Sequence, residues 1–127
     1  MQGEAARRLL VLDDEFLVAT DLADLLEDAG YEIAGPALNV TDAMRIVRFD
    51  KIDGAVLDVV LKGELTFPVA ASAMARGMPV LFVTANAAPY LVGAWAAVPR
   101  LDKPYQKREL LDGVRRLFVR SPEPRVA

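Results

Sequence analysis

Carboxylate, hydroxyl and ammonium side chains follow four short apolar runs of this sequence. Asp13 and Asp14 come directly after the first run, Asp58 after the next, Thr84 after another, and Lys103 just beyond the last. If these runs are parallel strands, their carboxyl ends share one edge of a sheet, which is where open α/β sheets bind ligands. The sequence therefore predicts one site that contains three carboxylates, a hydroxyl and an ammonium.

The three carboxylates of this predicted site would repel one another. Crowding Asp13, Asp14 and Asp58 together raises their pKa values unless a cation lies among them. A hard divalent cation with oxygen ligands, Mg²⁺ by preference, would relieve that repulsion. Lys103 supplies a second positive charge at the same place.

Each polar residue also has a simpler structural interpretation. Asp14 is a candidate N-cap for the first helix, Thr84 is a candidate cap for a later helix, and Lys103 could be a solvated loop lysine. Each interpretation is reasonable for one residue alone. Together they are less persuasive, because they leave the clustering of like charges unexplained.

Composition excludes several classes of function. The chain has no cysteine and no histidine, which rules out disulfides, thiolate or histidine metal sites, and nucleophiles paired with histidine. Its formal net charge of -3 and the absence of any Lys/Arg cluster longer than a pair disfavour direct nucleic-acid binding. The apolar runs are too short for an export signal or a membrane span, so we expect a cytoplasmic protein with no membrane contact.

Hydrophobic patterning predicts five strands that alternate with helices. The strands are predicted at Leu9 to Leu12, Tyr31 to Leu38, Ala55 to Leu57, Val80 to Val83 and Val98 to Leu101. Gly35 and Pro36 suggest that the second of these is an irregular edge strand. The alternation predicts a doubly wound α/β fold with a parallel sheet.

Five helices are predicted between and after the strands. The first ends at Gly30, the second is capped by Asn39 or Thr41, and the third lies between Pro68 and Gly77. Leu110, Val114 and Leu117 form the apolar stripe of the last helix, and a fourth is expected within Ala87 to Ala97, where Pro89 and Gly93 oppose it.

Four sequence features together resemble the receiver domains of bacterial response regulators. They are the acidic pair in Leu12-Asp13-Asp14-Glu15, the aspartate in Val56-Leu57-Asp58, the Thr84-Ala85 pair, and Lys103-Pro104. The resemblance implies a flavodoxin-like (βα)5 fold with strand order 2-1-3-4-5, as known for this family. It predicts a receiver domain over 7–119, an N-terminal extension over 1–6 and a flexible tail over 120–127.

The same resemblance implies a role for each site residue. Asp58 would accept the phosphoryl group, and Asp13, Asp14 and Asp58 would hold Mg²⁺ with the main-chain carbonyl of Val60. Thr84 and Lys103 would bind the phosphoryl oxygens, and Pro104 would follow a cis peptide bond. The implied donor is a sensor histidine kinase or a histidine phosphotransfer protein, and the output is altered binding to a downstream protein. Such a domain promotes only its own phosphorylation and dephosphorylation and is not otherwise an enzyme.

A subgroup of single-domain regulators, named for a Phe-Ala-Thr-Gly motif, shows a closer likeness. The segments Leu61 to Ala70 and Phe82-Val83-Thr84, with Pro99 before Lys103-Pro104-Tyr105, resemble that subgroup. Ala85 and Asn86 depart from it, because the subgroup has a glycine and then a bulky residue at these positions. The Met1 start and this likeness favour a complete protein over a receiver excised from a longer regulator.

Arg100 occupies the position, three residues before the lysine, where most receivers have a tyrosine or phenylalanine. Burying an unpaired guanidinium is costly, so Arg100 should not turn inward on phosphorylation as the aromatic residue of most receivers does. We expect the change to be read through residues 85 to 97, with Tyr90 and Trp95 as movable aromatic surface. The alternative is that Trp95 is a rigid core residue.

Two other functions fit parts of the sequence. A phosphohydrolase with an aspartyl-phosphate intermediate would use similar residues, but such enzymes usually carry a second aspartate two residues after the nucleophile, where this chain has Val60. A pseudo-receiver would keep the fold as an interaction module without phosphorylation. Pseudo-receivers usually lose the acidic pair, the acceptor or the lysine, and this sequence retains all of them.

Overall fold

The structure of this protein is a computed structural model in which residues 6–119 are described. Its strands are β1 Arg8–Leu12, β2 Glu32–Ala37, β3 Gly54–Leu57, β4 Val60–Leu61, β5 Glu64–Leu65, β6 Val80–Thr84 and β7 Arg100–Asp102. Its α-helices are α1 Phe16–Asp28, α2 Val40–Phe49, α3 Phe67–Ala75 and α4 Lys107–Phe118. The predicted tail, and the predicted extension apart from Ala6, lie outside the described residues.

The five main strands form a parallel sheet in the order β2-β1-β3-β6-β7. Counted along the chain, these are the first to fifth strands in the order 2-1-3-4-5, as predicted. The fold is therefore a flavodoxin-like, doubly wound α/β fold. The remaining two strands, β4 and β5, form a separate antiparallel hairpin that the sequence analysis did not predict.

Both faces of the sheet are buried, which explains why its central strands are continuous apolar runs. In β1, Leu10 and Leu12 belong to one core cluster, and Leu9 and Val11 belong to the other. This division follows from the two-residue period of a strand, which sends successive side chains to opposite faces. The sheet is packed between two apolar core layers, which fix the positions of the residues at its carboxyl edge.

The predicted helix boundaries agree with the structure where capping and glycine residues define them. Asn39, rather than Thr41, caps α2, since its side-chain oxygen accepts the Asp42 N–H at 2.8 Å. Gly30 and Gly77 follow the ends of α1 and α3 with φ angles of 103° and 81°. Glycine adopts these left-handed conformations without a steric penalty.

The predicted fourth helix is wrong as an α-helix. The chain instead forms two short 3-10 helices, Ala88–Tyr90 and Gly93–Ala97. Pro89 cannot donate a main-chain hydrogen bond, and Gly93 has a φ of 62°, so a continuous α-helix cannot pass through either residue. The sheet is therefore accompanied by four α-helices among residues 6–119.

The irregular edge predicted at β2 is present, whereas the bounds of β7 differ from the prediction. The register of β2 shifts between Leu10 and Leu12 of its neighbour, where Gly35 has a φ of 106° and the Gly35-Pro36 bond is cis, so the predicted irregular edge is confirmed. The last strand covers Arg100–Asp102 rather than Val98 to Leu101. No helix within residues 6–119 is long and apolar enough to cross a membrane.

Candidate functional site

The five predicted site residues meet at the carboxyl edge of the parallel sheet. Asp13 and Asp14 follow β1, Asp58 follows β3, Thr84 is the last residue of β6, and Lys103 follows β7. Main-chain bonds extend the sheet past the strand ends, from Asp58 N–H to Leu12 O at 2.9 Å and from Lys103 N–H to Thr84 O at 2.9 Å. The convergence expected from parallel strands is therefore present.

Lys103 lies between two of the carboxylates. Its Nζ donates to Asp13 Oδ2 at 2.7 Å and to Asp58 Oδ2 at 3.1 Å. The side chains of Asp13, Asp58 and Lys103 are only 2%, 12% and 21% exposed. These ion pairs are thus shielded from water, unlike a surface salt bridge.

The environment of Lys103 changes its pKa. Burial alone would lower the pKa, but the hydrogen bonds and negative charges of Asp13 and Asp58 together outweigh it, and the pKa is raised above 10.5. The ammonium group therefore stays charged at physiological pH.

Thr84 holds the other oxygen of Asp58. Its hydroxyl donates to Asp58 Oδ1 at 2.8 Å, and Thr84 is almost completely buried. Both carboxylate oxygens of Asp58 therefore have a hydrogen-bond donor, which orients this side chain.

Three carboxylates come close enough to share a cation. One oxygen from each of Asp13, Asp14 and Asp58 lies within 4.8 Å of the others. This all-oxygen donor set suits a hard divalent cation such as Mg²⁺. Val60 begins the hairpin two residues after Asp58 and pairs with Leu65, and the role of its carbonyl as a metal ligand stays a prediction.

The simpler structural interpretations of the site residues are wrong. Glu15, not Asp14, is the N-cap residue of α1, and the Glu15 side chain makes no capping hydrogen bond. The Thr84 hydroxyl bonds to Asp58 instead of capping a helix, and Lys103 is engaged by two carboxylates instead of being solvated.

Two residues near the site were not found by sequence reasoning. The Thr66 hydroxyl donates to the main-chain carbonyl of Asp58, and nothing in the local pattern of charge or hydrophobicity singles it out. Burial raises the pKa of Tyr105 above 10.0, Asp13 and Asp21 add to the rise, and the charge of Lys103 opposes it. Tyr105 follows the Lys103-Pro104 bond, which is cis as the resemblance implied.

Known proteins provide independent comparisons. The chain is 30% identical over 112 residues to the transcriptional regulatory protein PdtaR of Mycobacterium tuberculosis, a match that covers 85% of this chain and 55% of PdtaR. It is 30% identical over 96 residues to the phyllosphere-induced regulator PhyR of Methylorubrum extorquens, covering 73% of this chain and 36% of PhyR. The chain thus spans about half or less of the length of these curated relatives.

Solved structures agree with this relationship. The solution structure of SdrG from Sphingomonas melonis Fr1 aligns with a TM-score of 0.78 and 32% identity, covering 92% of this chain and all of SdrG. A response regulator receiver protein from Sinorhizobium medicae aligns with a TM-score of 0.79 and 25% identity, covering 88% of this chain and 94% of its own. The sequence profile of the response regulator receiver domain matches residues 9–115. The chain therefore belongs to the response regulator receiver domain family, whose members act in two-component signalling.

Proposed function

We propose that this chain is a phosphoacceptor response regulator that takes a phosphoryl group from a phosphohistidine onto Asp58 with the help of Mg²⁺. The observation that supports this best is the fixed position of the Asp58 side chain. Thr84 and Lys103 hold its two oxygens, and Asp13 and Asp14 lie beside it. A carboxylate so placed is suited to nucleophilic attack.

In the proposed reaction, one carboxylate oxygen of Asp58 attacks phosphorus in line. The new O–P bond forms as the bond from phosphorus to the donor imidazole breaks, and the imidazole nitrogen keeps that electron pair. Lys103 stabilises negative charge on the phosphoryl oxygens, and the Thr84 hydroxyl turns from Asp58 to donate to one of them. Positioning and electrostatics supply the catalysis.

The residues that would hold Mg²⁺ are Asp13, Asp14 and Asp58, with the carbonyl of Val60. When bound, the metal neutralises the clustered carboxylates and the charge of the phosphoryl group. Lys103 already neutralises part of the same cluster through Asp13.

The proposed donor must be another protein, because this chain has no histidine. A sensor histidine kinase or a histidine phosphotransfer protein would supply the phosphohistidine. The net charge of -3 argues against direct nucleic-acid binding, so the proposed output is a change in affinity for a downstream protein in the cytoplasm.

Membership of the Phe-Ala-Thr-Gly subgroup is part of this proposal. The Phe82-Val83-Thr84 segment supports it. The departures at Ala85 and Asn86 lie directly after Thr84, so any difference from that subgroup is expected in how the Thr84 movement is read.

The test is incubation with acetyl phosphate, with and without Mg²⁺, followed by intact-mass measurement. We expect wild type to gain one phosphoryl group only with Mg²⁺, and Asp58→Asn to gain none while its far-ultraviolet circular dichroism stays that of wild type. Asp102→Asn is the matched control, because Asp102 is an exposed aspartate at the end of β7, and it should be phosphorylated normally.

Three outcomes would contradict the proposal. Equal phosphorylation of wild type and Asp58→Asn would show that the acceptor is elsewhere, and a wild type that never gains the group would indicate a pseudo-receiver. Repeated turnover of a generic phosphate ester would instead indicate a phosphohydrolase.

A further inference from the structure

Thr66 contacts Asp58 in a way that Thr84 and Lys103 do not. Its hydroxyl donates to the main-chain carbonyl of Asp58, while the other two residues contact the carboxylate. Thr66 is completely buried, at 0% exposure. Since Thr66 is fully buried and the Asp58 side chain is only 12% exposed, water is a poor substitute for the Thr66 donor at this carbonyl.

The β4–β5 hairpin brings Thr66 back to the acceptor. Its turn residues, Lys62 and Gly63, have φ angles of 44° and 86°, as tight two-residue hairpins require. The chain thus reverses at Lys62 and Gly63, and the Thr66 N–H reaches the Val59 carbonyl at 2.8 Å. Thr66 therefore holds two consecutive residues after β3, through its side chain and its main chain.

Thr66 is itself anchored to a helix and to the core. Its carbonyl accepts the N–H groups of Val69 at 2.9 Å and Ala70 at 3.1 Å at the start of α3. The next residue, Phe67, stacks on Trp95 with ring centroids 4.3 Å apart and planes 7° apart. Through Thr66, the Asp58 carbonyl is therefore linked to the first turn of α3, which is packed against the core.

We infer that Thr66 is a positioning residue for phosphoryl transfer, acting through the main chain of Asp58. This inference rests on the proposed function. The main chain of Asp58 sets where its carboxylate meets Lys103 and Thr84, and it leads through Val59 to Val60. Because in-line attack depends on small distances, release of this carbonyl slows the reaction more than it disturbs the fold.

The experiment compares three variants in acetyl phosphate reactions at saturating Mg²⁺, with rates expressed per folded molecule. Thr66→Val keeps the size but loses the donor, Thr66→Ser keeps the donor, and Val69→Ala removes buried volume from α3 without removing a hydrogen bond to Asp58. We expect Thr66→Val to react about tenfold more slowly. Thr66→Ser should recover most of the rate, and Val69→Ala should be less stable but react normally.

A second readout needs no phosphoryl transfer. Amide hydrogen exchange of Asp58, whose N–H bonds to Leu12, should accelerate in Thr66→Val relative to Val69→Ala, when each is corrected for its global stability. Equal reaction rates for Thr66→Val and Val69→Ala, with unchanged Asp58 exchange, would overturn the role of Thr66. A wild type that is not phosphorylated would overturn the proposed function, and the exchange of Asp58 would still decide whether Thr66 holds its main chain.

Discussion

Lys103 Nζ lies closer to Asp13 Oδ2, at 2.7 Å, than to Asp58 Oδ2, at 3.1 Å, although Asp58 is the proposed acceptor. The Asp13 side chain is less exposed to water than that of Asp58, so Asp13 depends more on a counter-ion. Asp14 has no ion-pair partner within residues 6–119. The two neighbouring aspartates are therefore not equivalent when metal is absent.

This difference predicts opposite effects of Asp14→Ala and Asp13→Ala on metal-free stability. Asp14→Ala removes repulsion without breaking an ion pair, so the free energy of unfolding should rise by up to about 1 kcal/mol. Asp13→Ala removes the partner of Lys103 and the acceptor of the Glu15 N–H, so the free energy of unfolding should fall by about 1–3 kcal/mol. Urea unfolding with a chelator present measures both.

Both variants should also bind Mg²⁺ more weakly than wild type, and a metal titration provides that comparison. An Asp14→Ala protein that is less stable than wild type without metal, yet binds Mg²⁺ normally, would argue against a shared acidic pocket.

Replacing Lys103 should impair phosphorylation and the response to it more than it impairs folding. Lys103→Met leaves the buried Asp13 without its hydrogen-bond donor, so we expect the free energy of unfolding to fall by about 1–3 kcal/mol in wild type and by less in an Asp13→Asn background. Lys107→Met, in which an exposed lysine of α4 is changed, is the control and should affect neither property. Equal stability losses in the two backgrounds would contradict the pairing of Lys103 with Asp13. Normal phosphorylation and a normal response to it in Lys103→Met would contradict the binding of the phosphoryl group by Lys103.

The central sheet and its site were predictable for one shared physical reason. The runs that became β1, β3 and β6 are buried on both faces, so they are recognisable as continuous apolar segments. Because parallel strands end at one edge, residues such as Asp13, Asp58 and Thr84 could be placed together without knowing any distance. Their order along the chain then indicated the family.

The contacts that were missed depend on the path of a loop or on competition between partners. Thr66 reaches Asp58 only because Lys62 and Gly63 reverse the chain, and single-residue patterns do not reveal that reversal. The preference of Lys103 for Asp13 reflects relative burial, which the sequence does not specify. The helix expected within 87–97 failed because Pro89 and Gly93 interrupt it after each short turn.

The raised pKa of Tyr105 predicts a loss of stability in alkali. Because the folded protein holds this phenol proton more tightly than the unfolded chain does, the stabilisation is complete below the unfolded pKa of 10.0 and declines as pH rises through the folded pKa. Tyr105→Phe should remove this part of the decline, and the contribution of Lys103, which has the same sign, should remain. Unfolding measured from about pH 9 to pH 11 tests this, and parallel curves for wild type and Tyr105→Phe would contradict it.

We expect phosphorylation to change the surface formed by residues 85–97. Arg100, at the position where most receivers have an aromatic residue, is exposed on β7 and pairs with Asp102 at 3.2 Å. An inward turn of this side chain would break that ion pair. Trp95 is half-buried: it stacks on Phe67, and its ring centroid lies 6.1 Å from that of Phe82 in β6.

Movement of Thr84 toward a phosphoryl group would shift the end of β6 and the segment 85–97 that follows it. A packed tryptophan makes that shift visible, and Trp95 is the only tryptophan of the chain. We therefore expect acetyl phosphate with Mg²⁺ to change the fluorescence of Trp95 and the amide exchange of residues 85–97 in wild type but not in Asp58→Asn. If both signals stay constant while intact mass shows complete phosphorylation, this segment does not read the modification, and Trp95 is a rigid core residue.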